Sequence, residues 1–374
     1  FLYHALHPFD ETIDWHIKND QQSIVVMLIL ILVIPWGLPL FFMVAGAGSK
    51  FSLRRRTSRQ FVKERVMRLG IPFVVGAIVL TPIQLYLEAL HKGEYEGSFV
   101  GFLPEMLSRL APTHWNVPLI LTEWGLHLWF LAFLFLYSVM AVPIFEWFRA
   151  ASGQAFIARL AALADRRGGL LAFVIPLTLV RIAIQPFFPE EHGWLDFTYS
   201  FVFFVMGYVI YSDDRFLPAI RRDRWLLLGC GLTGIAGGGA MGAIAGDELF
   251  EWTSDFVLPW SPIVMLTFAL TAWGLALFVL DIARARWNTP GRILAYGNES
   301  IMPFYLLHQP VIIVIAYFVV QWDTGLLPKM AMVVAASFAA TIALYEVLVR
   351  RIAPMRTLLG VKAGGRKPLS LIHI

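Results

Sequence analysis

The sequence predicts an all-α, polytopic membrane bundle of about ten transmembrane helices with both termini in the cytoplasm. Three observations predict it. The chain is 58% hydrophobic and only 15% charged, with mean hydropathy +0.67, whereas a soluble domain is about a quarter charged. Apolar stretches long enough to cross a hydrocarbon core of roughly 30 Å recur throughout. Lys and Arg are concentrated in alternate loops. The 13 Trp, 30 Phe and 11 Tyr suit aromatic belts at both membrane interfaces.

In chain order, the apolar run over residues 1 to 9 is closed by Asp10 and is too short to span. It reads as the outer end of a truncated first helix rather than a mature start after a signal peptide, which would be polar. Complete spans follow at 24 to 47, 70 to 90, 126 to 147, 169 to 187, 195 to 212, 225 to 246, 257 to 280, 299 to 322 and 326 to 348. The connection over 91 to 125 carries Pro104, Pro112 and Pro118 among short apolar pieces, a pattern expected of a re-entrant or interfacial cap. The glycines between Gly229 and Gly242 mark close helix packing rather than a phosphate loop. Residues 1 to 350 form the transmembrane domain and 351 to 374 a cytoplasmic tail, whose last residues, Leu369 to Ile374, read as not native.

Orientation follows from the basic residues. Eight lie from Lys50 to Arg68, four from Arg149 to Arg167, four from Arg215 to Arg224, three from Arg284 to Arg292 and six from Arg350 to Lys367. The opposite loops hold only Lys18, Lys92, Arg109 and Lys329, and Arg181 falls inside a span. The first set is therefore expected in the cytoplasm. The other face is acidic, with Asp10, Glu11, Asp14, Asp20, Glu94, Glu96, Glu190, Glu191, Asp247, Glu248, Glu251 and Asp255. A net charge of +4 and a pI near 9.2 thus report topology, and no nucleic-acid partner is expected. The single Cys230 excludes an intramolecular disulfide.

Ionisable residues at membrane depth are costly and become candidates for chemistry. His4 is placed about 9 Å below the outer boundary and His308 about 14 Å into its helix, at about 1.5 Å per residue. Arg181 lies within the fifth span and His127 opens the fourth from outside. Histidine exchanges protons near neutral pH, as acyl transfer to an alcohol requires. No GxSxG motif supplies a serine nucleophile, and no HExxH or Cys/His cluster suggests a metal. For His308 and Arg181 a structural pairing role stands level with chemistry, and His127 and His7 read equally as interfacial. Arg65 and Arg68, three apart before the third span, share a helical face and suit a phosphate. The bland alternative is a positive-inside anchor.

These residues lie in segments that resemble the membrane-bound acyltransferase 3 family of polysaccharide O-acetyltransferases and glucan succinyltransferases. Phe1-Leu2-Tyr3-His4-Ala5 is similar to the end of the family's first helix, whose signature is Arg, ten residues, then His; that Arg falls before residue 1. Pro39-Leu40-Phe41-Phe42-Met43-Val44-Ala45-Gly46 resembles PLFFxxSG, with Ala45 for Ser. Arg65-x-x-Arg68-Leu69-Gly70-Ile71-Pro72 resembles the RxxRLxxP element, His127-Leu128-Trp129-Phe130-Leu131 the LWFL helix, and Tyr305-Leu306-Leu307-His308-Gln309-Pro310 the YxxHxP segment. The resemblance implies transfer of an acyl group, acetyl before succinyl, from cytoplasmic acyl-CoA to a hydroxyl of an extracytoplasmic glycan, at the cytoplasmic membrane of a bacterium. It implies His4 as catalytic residue, Arg65 and Arg68 as acyl-CoA ligands, and His127, Trp129, Arg181, Tyr305 and His308 as pocket candidates, without a metal. The partners expected are the lipid bilayer, acyl-CoA and a carbohydrate acceptor. A transporter or flippase of a glycan or acylated intermediate is the alternative from another class.

Overall fold

The computed structural model of the protein describes residues 1–11, 14–249, 257–287 and 290–361. Glu251 and Asp255 of the acidic loops and Lys362, Arg366, Lys367 and Leu369 to Ile374 of the tail lie outside the described residues. Among the described residues every regular element is helical. In chain order these are α1 (Leu2–Leu6), α2 (Ile24–Leu53), α3 (Ser58–Arg65), α4 (Ile71–Val79), α5 (Thr81–His91), α6 (Phe99–Arg109), α7 (Val117–Gly125), α8 (Trp129–Met140) and α9 (Val142–Arg149). There follow α10 (Ala151–Ala164), α11 (Val174–Ile184), α12 (Trp194–Ile210), α13 (Phe216–Ala245), α14 (Trp260–Arg286), α15 (Arg292–Val319), α16 (Leu326–Leu344) and α17 (Ala353–Leu358).

Seven helical stretches are long and apolar enough to cross a membrane: Ile24–Leu53, Ser58–His91, Val117–Met140, Phe216–Ala245, Trp260–Arg286, Arg292–Val319 and Leu326–Val349. Gly169–Ile184 and Trp194–Ile210 are shorter apolar helical stretches. Every complete span expected from the sequence overlaps one of these nine. The apolar side chains of α2 at Ile24, Val25, Leu28, Ile29, Ile31 and Leu32 are exposed. In water that stripe would be an aggregation site, and in lipid it is a solvent-matched surface.

Because lipid tails are as apolar as the helix faces, association relies on close contact. A Cβ on Gly46 of α2 would lie 1.8 Å from the Phe204 carbonyl oxygen, and one on Gly207 of α12 would lie 1.8 Å from that of Met43. The two backbones therefore touch, which only glycine permits at both positions. Gly231 and Gly234 of α13 abut α14 in the same way, while Gly229 and Gly239 face open space. The packing expected of this glycine run thus holds for part of it. Aromatic side chains fill the rest of the core: Tyr137 donates to the Phe197 carbonyl at 2.6 Å, Trp273 to that of Leu170 at 2.8 Å, and Phe145 stacks on Tyr208 at 4.0 Å.

Several boundaries differ from expectation. The fourth crossing begins at Val117 rather than 126, because α7 leads into α8 through a 3-10 turn at Leu126–Leu128. Residues 91 to 125 therefore hold an amphipathic α6, with Phe102 and Met106 buried, and the first turns of a span. Helix α13 starts at Phe216, nine residues before the expected span, and Arg222 at its basic end donates to the carbonyls of Ala164, Asp165 and Arg166, capping α10. Lys329, counted with the basic residues of the outer loops, is buried in the first turn of α16, where its ammonium donates to Asn19 Oδ1 at 3.1 Å and the Val320 carbonyl at 2.8 Å.

Candidate active site

Three imidazoles converge where α1, α15 and the α7–α8 turn meet. The His4 and His308 ring centroids are 5.2 Å apart, and those of His308 and His127 are 5.5 Å apart. Local sequence explains each position. Pro310 has no N–H, so the Leu306 carbonyl four residues earlier loses its helical partner. His127 Nε2 takes that place at 3.2 Å. His308 Nδ1 donates to the Tyr305 carbonyl at 2.6 Å. Because a carbonyl only accepts, both tautomers are fixed: His127 keeps its lone pair on Nδ1 and His308 on Nε2. The Tyr305 hydroxyl donates to the His127 carbonyl, tying α15 to the turn from the other direction.

His127 does not open its helix at the interface. It sits buried in the break between α7 and α8, and Leu126 before it has φ +48°, a left-handed backbone that a branched side chain adopts only at a cost of about 1–3 kcal/mol. The Nδ1 atoms of both His4 and His127 are inaccessible and have no hydrogen-bond partner among the described residues. One turn beyond His4, His7 is buried within the protein, and its Nδ1 lies 3.0 Å from Oδ2 of the fully buried Asp10. The His4 and His7 rings are 6.1 Å apart.

The remaining candidates fall elsewhere. Trp129 packs between Phe133 at 4.9 Å and His192 at 4.3 Å, and Phe130 lies between it and Tyr305, at 6.4 and 5.8 Å. The Arg181 guanidinium lies over the rings of Phe268, at 4.6 Å, and Tyr199, at 5.3 Å. That is a cation–π seat between α11, α12 and α14.

On the basic side, Arg65 ends α3 and Arg68 sits in the π-turn Val66–Gly70 that follows. Arg65 lies over the Phe61 ring at 4.7 Å, and Arg68 pairs with Glu64 at 3.6 Å, which also holds Arg56 at 3.3 Å. The Nε atoms of Arg65 and Arg68 are buried without a partner among the described residues. Three guanidinium groups around one carboxylate leave a net positive cluster suited to a phosphate. A nearby open hollow lined by Ser58, Arg59, Val62, Lys63, Val139, Val142 and Pro143 includes neither Arg65 nor Arg68.

A polar group that sequence reasoning missed lies on the acidic side. His16 Nδ1 is 2.5 Å from Glu88 Oε2, and Glu88 Oε1 accepts from Lys92 at 2.9 Å. Gln309 Nε2 donates to Gln84 Oε1 at 3.2 Å and lies 3.4 Å from His16 Nε2. The signal was present, since Gln84 and Glu88 are four apart on one face of an apolar helix. Among the described residues no group of three His, Cys, Asp or Glu is arranged to hold a metal ion.

The family model described as an acyltransferase domain matches residues 1–346. The glucans biosynthesis protein C of Salmonella paratyphi A and that of Salmonella agona are each 23% identical over 308 residues, covering 80% of this chain and 75% of theirs. No solved structure matches the chain. An apolar helical bundle with buried imidazoles and a match over nearly its whole length identify a multi-pass membrane enzyme, and the chain belongs to the acyltransferase 3 family.

Proposed function

We propose that the protein is an O-acyltransferase that moves an acyl group, acetyl first and succinyl second, from cytoplasmic acyl-CoA to a hydroxyl of an extracytoplasmic glycan. The observation that carries this reading is the juxtaposition of His4 with His308 and His127, with the buried Nδ1 of His4 unpartnered. An imidazole nitrogen held away from water, with no partner among the described residues, can take the proton of a hydroxyl that reaches it. In the proposed step, His4 takes the hydroxyl proton while the oxygen attacks the thioester carbonyl. The carbon–sulfur bond then breaks, and the proton passes from His4 to the departing thiolate. His308 and His127, fixed by backbone carbonyls, hold the neighbouring walls.

Arg65 and Arg68 are the proposed ligands of the donor's phosphates, on a face that the positive-inside pattern assigns to the cytoplasm. The location proposed is the inner membrane of a bacterium, with both termini inside. The relatives' name, glucans biosynthesis protein C, favours a glucan among possible glycan acceptors. The test is transfer from radiolabelled acetyl-CoA or succinyl-CoA to a glucose oligosaccharide by purified protein in lipid vesicles. His4→Ala should lower transfer by about 100-fold or more, the usual contribution of a positioned proton carrier, while leaving thermal unfolding and size-exclusion behaviour unchanged. Transfer retained at the wild-type rate would remove His4 from catalysis.

A further inference from the structure

From three segments far apart in sequence, His16 in the loop before α2, Gln84 and Glu88 on α5, and Gln309 on α15 come together on the acidic side of the imidazole cluster. Side-chain exposure falls inward along the group: 81% for Asp14, 29% for Lys92, 22% for Glu88, 13% for His16, 3% for Gln309 and 0% for Gln84. A file of polar side chains thus leads from solvent into an apolar bundle. Buried polar groups are costly there unless they are satisfied.

The charged members satisfy one another. Glu88 holds both His16 and Lys92, and Lys92 also pairs with Asp14 at 3.2 Å. Of the inner members, Gln84 is satisfied, its Nε2 donating to the Leu80 carbonyl at 3.2 Å, and Gln309 is not. Gln309 Oε1 is buried with no partner among the described residues, and the 3.4 Å separation of Gln309 Nε2 from His16 Nε2 is long for a hydrogen bond. With Nδ1–H committed to the Glu88 carboxylate, His16 presents its Nε2 lone pair inward. His16 also lies within electrostatic range of His127.

We infer that His16, Gln84 and Gln309 form a subsite for the hydroxyl groups of an uncharged polyhydroxylated acceptor, next to the imidazole cluster. One acceptor hydroxyl bridges His16 and Gln309, donating to His16 Nε2 and accepting from Gln309 Nε2. A neighbouring hydroxyl donates to Gln309 Oε1. A planar amide offering a donor and an acceptor side by side matches a vicinal diol, and the internally paired charges leave no net demand for an ionic partner. Glu88 is a positioning residue that fixes the His16 tautomer. The loop carrying His16 is itself fixed: Asn19 N donates to the Pro8 carbonyl and Ser23 N to that of Phe9, each at 2.8 Å, and Lys18 N donates to His91 Nε2 at 3.1 Å.

This subsite rests on the proposed transfer reaction only for its purpose, and it is tested by binding as well as by turnover. Binding of a linear glucose oligosaccharide to the purified protein is followed by saturation-transfer NMR, and acyl transfer to the same oligosaccharide is followed in parallel. Gln309→Leu and His16→Leu should each weaken oligosaccharide binding and raise its KM by about tenfold, as expected for one or two lost hydrogen bonds, with acetyl-CoA affinity unchanged. Glu88→Gln should retain part of the binding that Glu88→Leu loses, because an amide oxygen still accepts from His16. Leu is close in volume to Gln and suits the apolar surroundings, and thermal unfolding confirms that each variant folds. Oligosaccharide binding and KM equal to wild type in Gln309→Leu and His16→Leu would overturn the subsite, as would absence of oligosaccharide binding by the wild type. Binding that these variants abolish, in a protein that transfers no acyl group, would uphold the subsite and overturn the transfer reaction.

Discussion

At the scale of single residues, the donor-side cluster makes two opposite predictions. Arg65 and Arg68 present buried, unpartnered Nε atoms, while Glu64 occupies part of the guanidinium capacity through Arg56 and Arg68. Removing both arginines deletes the charge-assisted bonds a phosphate would receive, each worth about 1.5–3 kcal/mol. Arg65→Ala with Arg68→Ala should therefore weaken acyl-CoA binding by about 100-fold, measured by isothermal titration calorimetry. Glu64→Gln removes the competing carboxylate and should tighten the same binding. Unchanged affinity in the double variant would return the pair to the role of a membrane anchor. The arginines and His4 were legible because charge and imidazole are conspicuous in an apolar sequence. Arg181 was equally conspicuous, yet its partners are the faces of Phe268 and Tyr199, which no sequence spacing links to it. His16 was overlooked for the reverse reason: it lies in a polar loop where a histidine needs no explanation, and its partner Glu88 is 72 residues away.

At the scale of elements, the spans were legible from hydropathy and the breaks within them were not. Mean hydropathy averages over a window longer than the 3-10 turn at Leu126–Leu128 or the π-turn at Val66–Gly70, and those two irregularities carry His127 and Arg68. The feature that joins the first of them to the rest is Pro310, whose missing N–H leaves the Leu306 carbonyl to His127. Pro310→Ala should restore the helical bond to Leu306, compete with His127 for that oxygen and loosen its ring. The expected result is a transfer rate lowered by about tenfold, the equivalent of one hydrogen bond, in a protein at least as stable to heat as wild type. A loss of stability with the rate per folded molecule unchanged would show that Pro310 serves packing alone.

At the scale of the whole molecule, the sequence places basic and acidic residues at alternate junctions between spans, and the proposed reaction, joining a nucleotide-bearing donor to an external glycan, needs that division. Arg54 to Arg56 follow α2, Arg59 and Arg65 lie on α3, Arg149 ends α9 and Arg221 to Arg224 lie in the N-terminal part of α13, whereas Lys92, Glu94 and Glu96 follow α5. The alternation was readable from sequence because loop charge obeys transport energetics rather than packing. How the ends are linked was not readable, since the imidazole cluster is assembled from residues about 180 and 300 positions apart, 127 with 306 and 4 with 308. The membrane orientation that this division implies is open to direct test. In a Cys230→Ala background, which removes the chain's one thiol, single cysteines replace Ser58 beside the arginine cluster and Ser98 at the start of α6. In intact cells an impermeant maleimide should label the cysteine at 98 and leave that at 58 unlabelled until the membrane is opened. The reverse pattern would put the arginine cluster outside, beyond reach of cytoplasmic acyl-CoA, and would overturn the proposed direction of transfer while leaving the chain's membership of the acyltransferase family intact.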